Sequence, residues 1–394
     1  MAASDISRKS DTSIFNSLAV RGVVYQVLLA LAVGFIGWYL YYNANANLER
    51  QGIATGFSFL NEAAGFGIGE SIIPYDAAQS YGRALLVGIL NTLHVAVVGI
   101  VLATILGVVM GIARVSSNWL ISKLASAYVE VCRNIPVVLH VIFWASVIRN
   151  LPSPRQALSP FTGVFITNRG LTYPIPVANP VYPWMGLALL IGIVGAIILA
   201  KWAGRRRELT GQYLPTFWPG LGLILGLPLI VWLAGGAPLE WSVPALRGFN
   251  YRGGASMTPE FAALLVGITV YTGAYIAEIV RAGIQSVPHG QVEAARAIGL
   301  RPGLVMRLVV LPQALRVIVP PMTSQFLNLT KNSSLAVAIG YPDIVSIANT
   351  TMNQTGQAIE GIAIIMAVYL TISLTISLFM NWYNKKIALR GARR

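Results

Sequence analysis

The sequence predicts an all-α polytopic membrane protein with about eight spanning helices, and two observations carry that prediction. Of its 394 residues, 55% are hydrophobic and only 11% are charged, whereas ordinary soluble domains carry about 25% charged residues. The apolar residues are also gathered into runs of the length a bilayer requires, about 20 residues each. These runs are 20–40, 85–113, 124–148, 184–200, 217–235, 260–280, 315–339 and 361–381. The fourth is short, and polar residues interrupt the seventh.

Charge placement orients the runs. The net charge of +14 invites a nucleic-acid reading, but the basic residues sit in short loops between apolar runs, where they set membrane orientation instead. With the N-terminus inside, the inner segments are 1–21, 113–124, 201–214, 281–316 and 384–394. They hold 3, 2, 4, 5 and 5 Lys and Arg, against 2, 3, 2 and 0 in the outer segments 41–83, 149–183, 236–259 and 340–360. Both termini are therefore expected in the cytoplasm. Arg21, an apolar run and Ala44-Asn45-Ala46 have the outline of a secretory signal, but the run exceeds a signal core and reads as a retained span. The single cysteine, Cys132, excludes an intramolecular disulfide. The three histidines are far apart, and no GxxxxGK[ST] phosphate loop occurs. Neither a metal, a cofactor nor ATP is expected on this chain, and no catalytic residue is assigned.

One polar turn stands out: Glu293-Ala294-Ala295-Arg296-Ala297-Ile298-Gly299, followed by Val309-Val310-Leu311-Pro312. Ser286 suits a helix N-cap, Pro288 a first turn, and Gly299 the position just past a helix end. Pro302 blocks simple continuation. The spacing predicts a helix over 288–298, about 16 Å long at 1.5 Å per residue, too short to cross a bilayer. Ala294, Ala295 and Ala297 leave a face of little bulk, suited to close approach by another protein. An amphipathic connector is the alternative reading. The phrase resembles the EAA loop of ABC importer permeases, with Val309 where that family usually has Ile. The resemblance implies a type I ABC importer permease fold and an ATPase-coupling role for Glu293, Ala294, Ala295 and Gly299.

Two blocks flank an insertion. Residues 84–148 include Gly88 to Leu93 and Tyr128 to Pro136. Residues 260–394 include Tyr275-Ile276-Ala277-Glu278-Ile279-Val280-Arg281-Ala282-Gly283 and Lys331-Asn332-Ser333-Ser334-Leu335. Both resemble the polar amino-acid uptake branch of the permease family. That branch usually has five spans. Here residues 1–83 add one span and an outer loop, and 149–259 add Pro/Gly-rich outer loops and a pair of spans joined by Lys201, Arg205, Arg206 and Arg207. An even number of added spans preserves the topology that follows. The extended form looks like the larger permease subunit of general L-amino-acid importers, the Aap/Bzt type. The implied partners are a second permease subunit, a cytoplasmic ABC ATPase dimer and a periplasmic amino-acid-binding protein, at a bacterial inner membrane. Import of another small polar solute, such as an opine or compatible solute, is the alternative. An ATPase-independent channel or secondary transporter fits the loop less well.

Polar residues within spans are costly and usually face a cavity or a partner. Glu278 and Arg281 share a helix face at i, i+3, as a local ion pair or a pathway lining. Glu130 and Arg133 repeat that spacing. Asn328, Thr330, Lys331, Asn332, Ser333 and Ser334 crowd the end of the seventh run and suit a water-filled path or an unwound segment. Lys331 could meet a substrate carboxylate or could snorkel to the surface. Thr272 and Tyr275, with Thr269 and Tyr271, follow helical spacing as further pathway candidates. Asn91, Thr92 and His94 polarise the second run, His94 as a packing residue.

Overall fold

The computed structural model describes residues 18–50 and 56–387. The basic residues at both ends that entered the charge count lie partly outside these. Helix α1 (Leu18–Arg50) opens the chain, and its side chains from Arg21 to Tyr42 are exposed. Helix α2 (Tyr81–Arg114) follows, apolar on all sides as a buried or lipid-facing helix must be. Among the described residues, seven helices are long and apolar enough to cross a membrane, or up to eight if a bent pair counts as one span.

That pair corrects the third predicted span. Instead of one helix over 124–148, the chain forms α3 (Trp119–Asn134) and α4 (Val137–Arg149), bent by 106°. Pro136 has no N–H to donate and forces Ile135 into an extended conformation, φ −99° and ψ 130°. The break frees helix-end carbonyls. Nε2 of buried His140 lies 3.1 Å from the Cys132 carbonyl oxygen and satisfies one of them.

The inserted pair is α5 (Val181–Thr210) and α6 (Phe217–Ala234). They pack through small residues: Ala188 and Gly192 are buried, and a side chain at Gly192 would run into the Leu223 backbone. The outer stretches beside this pair carry short strands that no sequence pattern indicated. These are β1 (Leu158–Phe161), β2 (Val164–Thr167), β3 (Gly170–Tyr173), β4 (Ile175–Pro176), β5 (Trp241–Ser242), β6 (Ala245–Arg247), β7 (Asn250–Arg252) and β8 (Ala255–Met257). A four-stranded antiparallel sheet has the order β1-β2-β3-β8, with Leu171 opposite Met257, and β4 pairs with β5. Chain from both sides of the inserted helix pair is thereby joined.

After α7 (Pro259–Gln285) come α8 (His289–Ala297), α9 (Pro302–Val305), a π-helical turn (Met306–Val310) and α10 (Leu311–Asn332). The π turn ends just before Pro312, which cannot donate to the Leu308 carbonyl, and the Leu311 N–H reaches back five residues to the Met306 carbonyl. A 3-10 segment (Ser333–Ile339), α11 (Ile344–Thr355) and α12 (Ala358–Ile387) complete the chain. The stretch 340–360, expected as an outer segment, thus contains a helix.

The described chain divides into two compact units. One holds the residues up to His94, Phe326–Val337 and those from Pro342 onward; the other holds Val95–Gln325 and Ala338–Tyr341. In the first, Ile344, Ile347 and Ala348 of α11 pack with Phe59, Tyr81, Ala84 and Leu85. Asn91 donates to the carbonyls of Glu70 and Pro342, each at 2.9 Å, and Thr92 Oγ1 accepts from the Ile344 N–H at 3.0 Å. The polarity of the second span is therefore structural. In the second unit, Val129 and Cys132 pack on Ala274 and Ala277. Gly111 lets α2 approach α7, since a Cβ there would fall 2.7 Å from the Val280 side chain.

Candidate functional site

The polar turn folds as a nine-residue helix, α8, with a defined stop. Gly299 takes φ +82°, the left-handed conformation that the sequence reserved for it. Its N–H donates to the Arg296 carbonyl at 2.9 Å, and the Leu300 N–H donates to the Ala295 carbonyl at 3.2 Å. These two bonds close the helix as a Schellman motif. A Cβ on Gly299 would meet nothing within 4 Å, so conformation, not space, requires glycine there.

Two expectations about α8 need correction. Ser286 does not cap it. The Ser286 hydroxyl donates to the Gly283 carbonyl at 2.7 Å and closes the end of α7, while Pro288 occupies the α8 N-cap position itself, with no side-chain bond. Nor is the alanine face uniformly outward. Ala295 is buried at 5% exposure, whereas Glu293, Ala294, Ala297 and Gly299 are exposed. Helical geometry turns position 295 inward when 294 and 297 face out. Sequence reasoning missed Ile298, which is 77% exposed at the helix end. A lone large apolar residue closing a polar turn is the signal that could have singled it out. Beside α8 lies a pocket of about 720 Å³ lined by Arg114, Gln285, His289, Val292, Arg296 and Met306, among others.

Higher in the same unit, Glu278 gathers three arginines. Arg114 from the end of α2 and Arg281 from α7 both bind it, Arg281 at 2.5 Å, and Arg133 from α3 stands at 4.0 Å. Both carboxylate oxygens are engaged, so the local ion pair inferred for Glu278 and Arg281 widens into a joint among three helices. The second inferred pair is not formed: Arg133 turns from Glu130 toward Glu278 and lies over the Tyr275 ring, 5.1 Å from its centroid. The carboxylate already bears two tight guanidiniums, and the ring face adds a cation–π attraction that Glu130 cannot. Tyr271 donates to the Tyr275 hydroxyl at 3.3 Å. Thr272 is buried, as is Thr269.

Asn328, Lys331 and Asn332 belong to the other unit. Asn328 and Lys331 are exposed, one turn apart on α10, and Asn332 is half-buried. The hydroxyls interleaved with them turn inward. Thr330 donates to the Phe326 carbonyl at 2.9 Å and Ser333 to the Thr330 carbonyl at 2.7 Å. Ser333 opens the 3-10 segment, so the polar run does coincide with a change of helix type.

Comparison with known proteins places these residues in a family. The family of binding-protein-dependent transport system inner membrane components matches residues 192–389. The chain is 51% identical to the general L-amino acid transport system permease protein AapQ of Rhizobium johnstonii, over 94% of this chain and 92% of that protein. It is 52% identical to YhdX of Escherichia coli, over 95% and 96%. It is 43% identical to the glutamate/glutamine/aspartate/asparagine transport system permease protein BztB of Rhodobacter capsulatus, over 95% and 94%.

Proposed function

The chain belongs to the binding-protein-dependent transport system inner membrane components, and from that premise we propose that it imports L-amino acids as the permease subunit of an ATP-driven transporter. The observation that carries the substrate class is the 51% identity, along nearly the whole chain, to a general L-amino acid permease. The partners are a second permease chain, a cytoplasmic ATPase dimer and a periplasmic amino-acid-binding protein. Both termini lie on the cytoplasmic side of the inner membrane. Residues 149–259 are an insertion into a permease core formed by 84–148 and 260–394.

Coupling runs through α8. Its exposed surface of Glu293, Ala294, Ile298 and Gly299 fits the groove mode of helix recognition, while Ala295 anchors the helix to its own chain. Closure of the ATPase dimer moves α8, and the spans switch the cavity from outward-facing to inward-facing. In the pathway, Lys331 and Asn328 meet the substrate carboxylate, with Asn332 beside them. Tyr275 and Thr272 are further pathway candidates, and Glu278 holds the ends of α2 and α3 against α7.

The test is ATPase activity and uptake by the reconstituted complex with its binding protein. L-amino acids should stimulate both, and an opine or compatible solute should not; the reverse preference overturns the substrate class. Gly299→Asp should assemble normally and lose nearly all uptake, because it strains the left-handed stop of α8 and places an unpaired charge in a close contact. Wild-type uptake by Gly299→Asp removes the coupling role. Lys331→Ala should lower uptake at least several-fold with assembly intact, and an unchanged rate would reduce Lys331 to a snorkelling residue.

A further inference from the structure

The turn between α5 and α6 concentrates positive charge that no ion pair among the described residues answers. Lys201, Arg205, Arg206 and Arg207 stand against a single acid, Glu208, and all five are exposed. Every ion pair among the described residues involves Glu278, so none of these four cations is in one. The contrast with Arg114, Arg133 and Arg281, which converge on one carboxylate, is direct.

Orientation in the membrane needs only a surplus of Lys and Arg in a loop. Here the cations are also ordered. Helix α5 continues beyond its apolar run to Thr210. Its last turn is closed by the Thr210 hydroxyl donating to the Arg206 carbonyl at 2.8 Å and the Gly211 N–H donating to the Arg207 carbonyl at 2.9 Å. The Arg206 guanidinium lies over the Trp202 ring at 5.4 Å, and that of Arg207 over the Tyr213 ring at 5.6 Å. Trp202, Phe217 and Trp218 are themselves exposed, and aromatic side chains of this kind sit at headgroup level. A rigid helix end thus holds planar guanidiniums, whose forked donors match phosphate oxygens, at the depth where lipid phosphates lie. Lys201 and Arg205, one turn apart, repel each other until an anion bridges them.

We propose that this turn is a binding site for the headgroup phosphates of anionic phospholipids, which seat the α5–α6 hairpin in the inner leaflet. The proposal rests on the cytoplasmic placement of the turn. Each cation near an anionic surface strengthens binding roughly fivefold, so a phospholipid of net negative charge should be preferred over a zwitterionic one by at least about tenfold.

The experiment uses the intact importer in mixed micelles, with brominated phosphatidylglycerol or brominated phosphatidylcholine as quencher. The signal of Trp202 is isolated by subtracting the same complex carrying Trp202→Phe. Phosphatidylglycerol should quench Trp202 at about one tenth the mole fraction that phosphatidylcholine requires. Lys201→Gln/Arg205→Gln/Arg206→Gln/Arg207→Gln should erase the difference, and inorganic phosphate should not displace the lipid. Equal quenching by both lipids, or an unchanged preference in the glutamine variant, overturns the proposal, as does displacement by inorganic phosphate, which would indicate a free-anion site. If the fourfold variant fails to assemble, the wild-type comparison of the two lipids still decides. Because the readout is lipid proximity and not uptake, a negative result leaves the transport reading standing.

Discussion

Helices α7 and α5 are both long, both apolar and both basic at one end, yet they solve opposite problems. Helix α7 buries residues along its whole length, from Phe261 through Ile268 and Ile276 to Gly283, and its Arg281, a turn before the helix end, is tied to Glu278 within the chain. Helix α5 buries only Ala188, Gly192 and Ala203, and its terminal cations face outward without an acid. Hydropathy cannot separate them, because lipid and protein interior are equally apolar. What separates them is polar residues within the apolar run: Thr269, Thr272 and Glu278 lie within α7, whereas α5 is as rich in Gly and Ala but carries no hydroxyl or acid between Trp184 and Ala200.

The largest test of this contrast substitutes glycines. Gly111→Leu places a branched side chain where even a Cβ would fall 2.7 Å from Val280. It should cost about 3 kcal/mol or more by overpacking and deplete assembled complex from detergent extracts. Gly186→Leu on α5, where a Cβ meets nothing within 4 Å, should stay within about 0.5 kcal/mol of wild type. Equal losses from both would break the division into packed and peripheral helices.

Charge gives a second, smaller test. Glu278→Gln leaves Arg114 and Arg281 facing each other without their counter-charge. The expected loss is about 2 kcal/mol, less than for a fully buried pair because the group is partly solvated. The double variant Glu278→Gln/Arg114→Gln should recover part of it in a thermal-unfolding cycle on the purified complex. Arg205→Gln should leave the midpoint unmoved. A midpoint insensitive to Glu278→Gln would mean that the arginine cluster does not hold the three helices together.

The smallest effect contrasts Glu278 with Asp343, a carboxylate that no cation neutralises. Asp343 is fully buried in the loop before α11. It accepts the Ser346 N–H at 2.8 Å as the helix N-cap. Burial pushes its pKa up to about 6, against the lowering effect of backbone hydrogen bonds. The folded state therefore holds a proton that the unfolded chain has released, and stability falls as pH rises from about 4 to about 6. Asp343→Asn keeps the cap and removes the charge. It should flatten that part of the pH profile and raise stability above pH 6. A wild-type profile in the asparagine variant would place the titration elsewhere.

The candidate site was legible where local chemistry sufficed. Gly299 announced a left-handed stop, and the helix ends there. Pro136 was passed over within one predicted span, because the apolar run continues through it without a change in composition, so the bend of 106° was not read. Helical spacing put one acid, Glu130, within reach of Arg133. The acid it approaches, Glu278, is on another helix and invisible to spacing. The strands β3 and β8 are four and three residues long and pair across the whole inserted hairpin. Neither is long enough to show a period of its own.

By itself the sequence determined that the chain crosses a membrane repeatedly, which loops carry the positive charge, and where a short capped helix interrupts the spans. Those properties follow from residue composition and nearest-neighbour backbone chemistry, which act over one or two turns. Only the tertiary structure decided that Ala295 turns inward while Ile298 stays exposed, that one carboxylate gathers three arginines, and that the inserted turn keeps its cations free of acids. Each depends on which helix lies beside which, and in a chain where nearly every helix is apolar that choice rests on close packing and on pairing scarce polar groups.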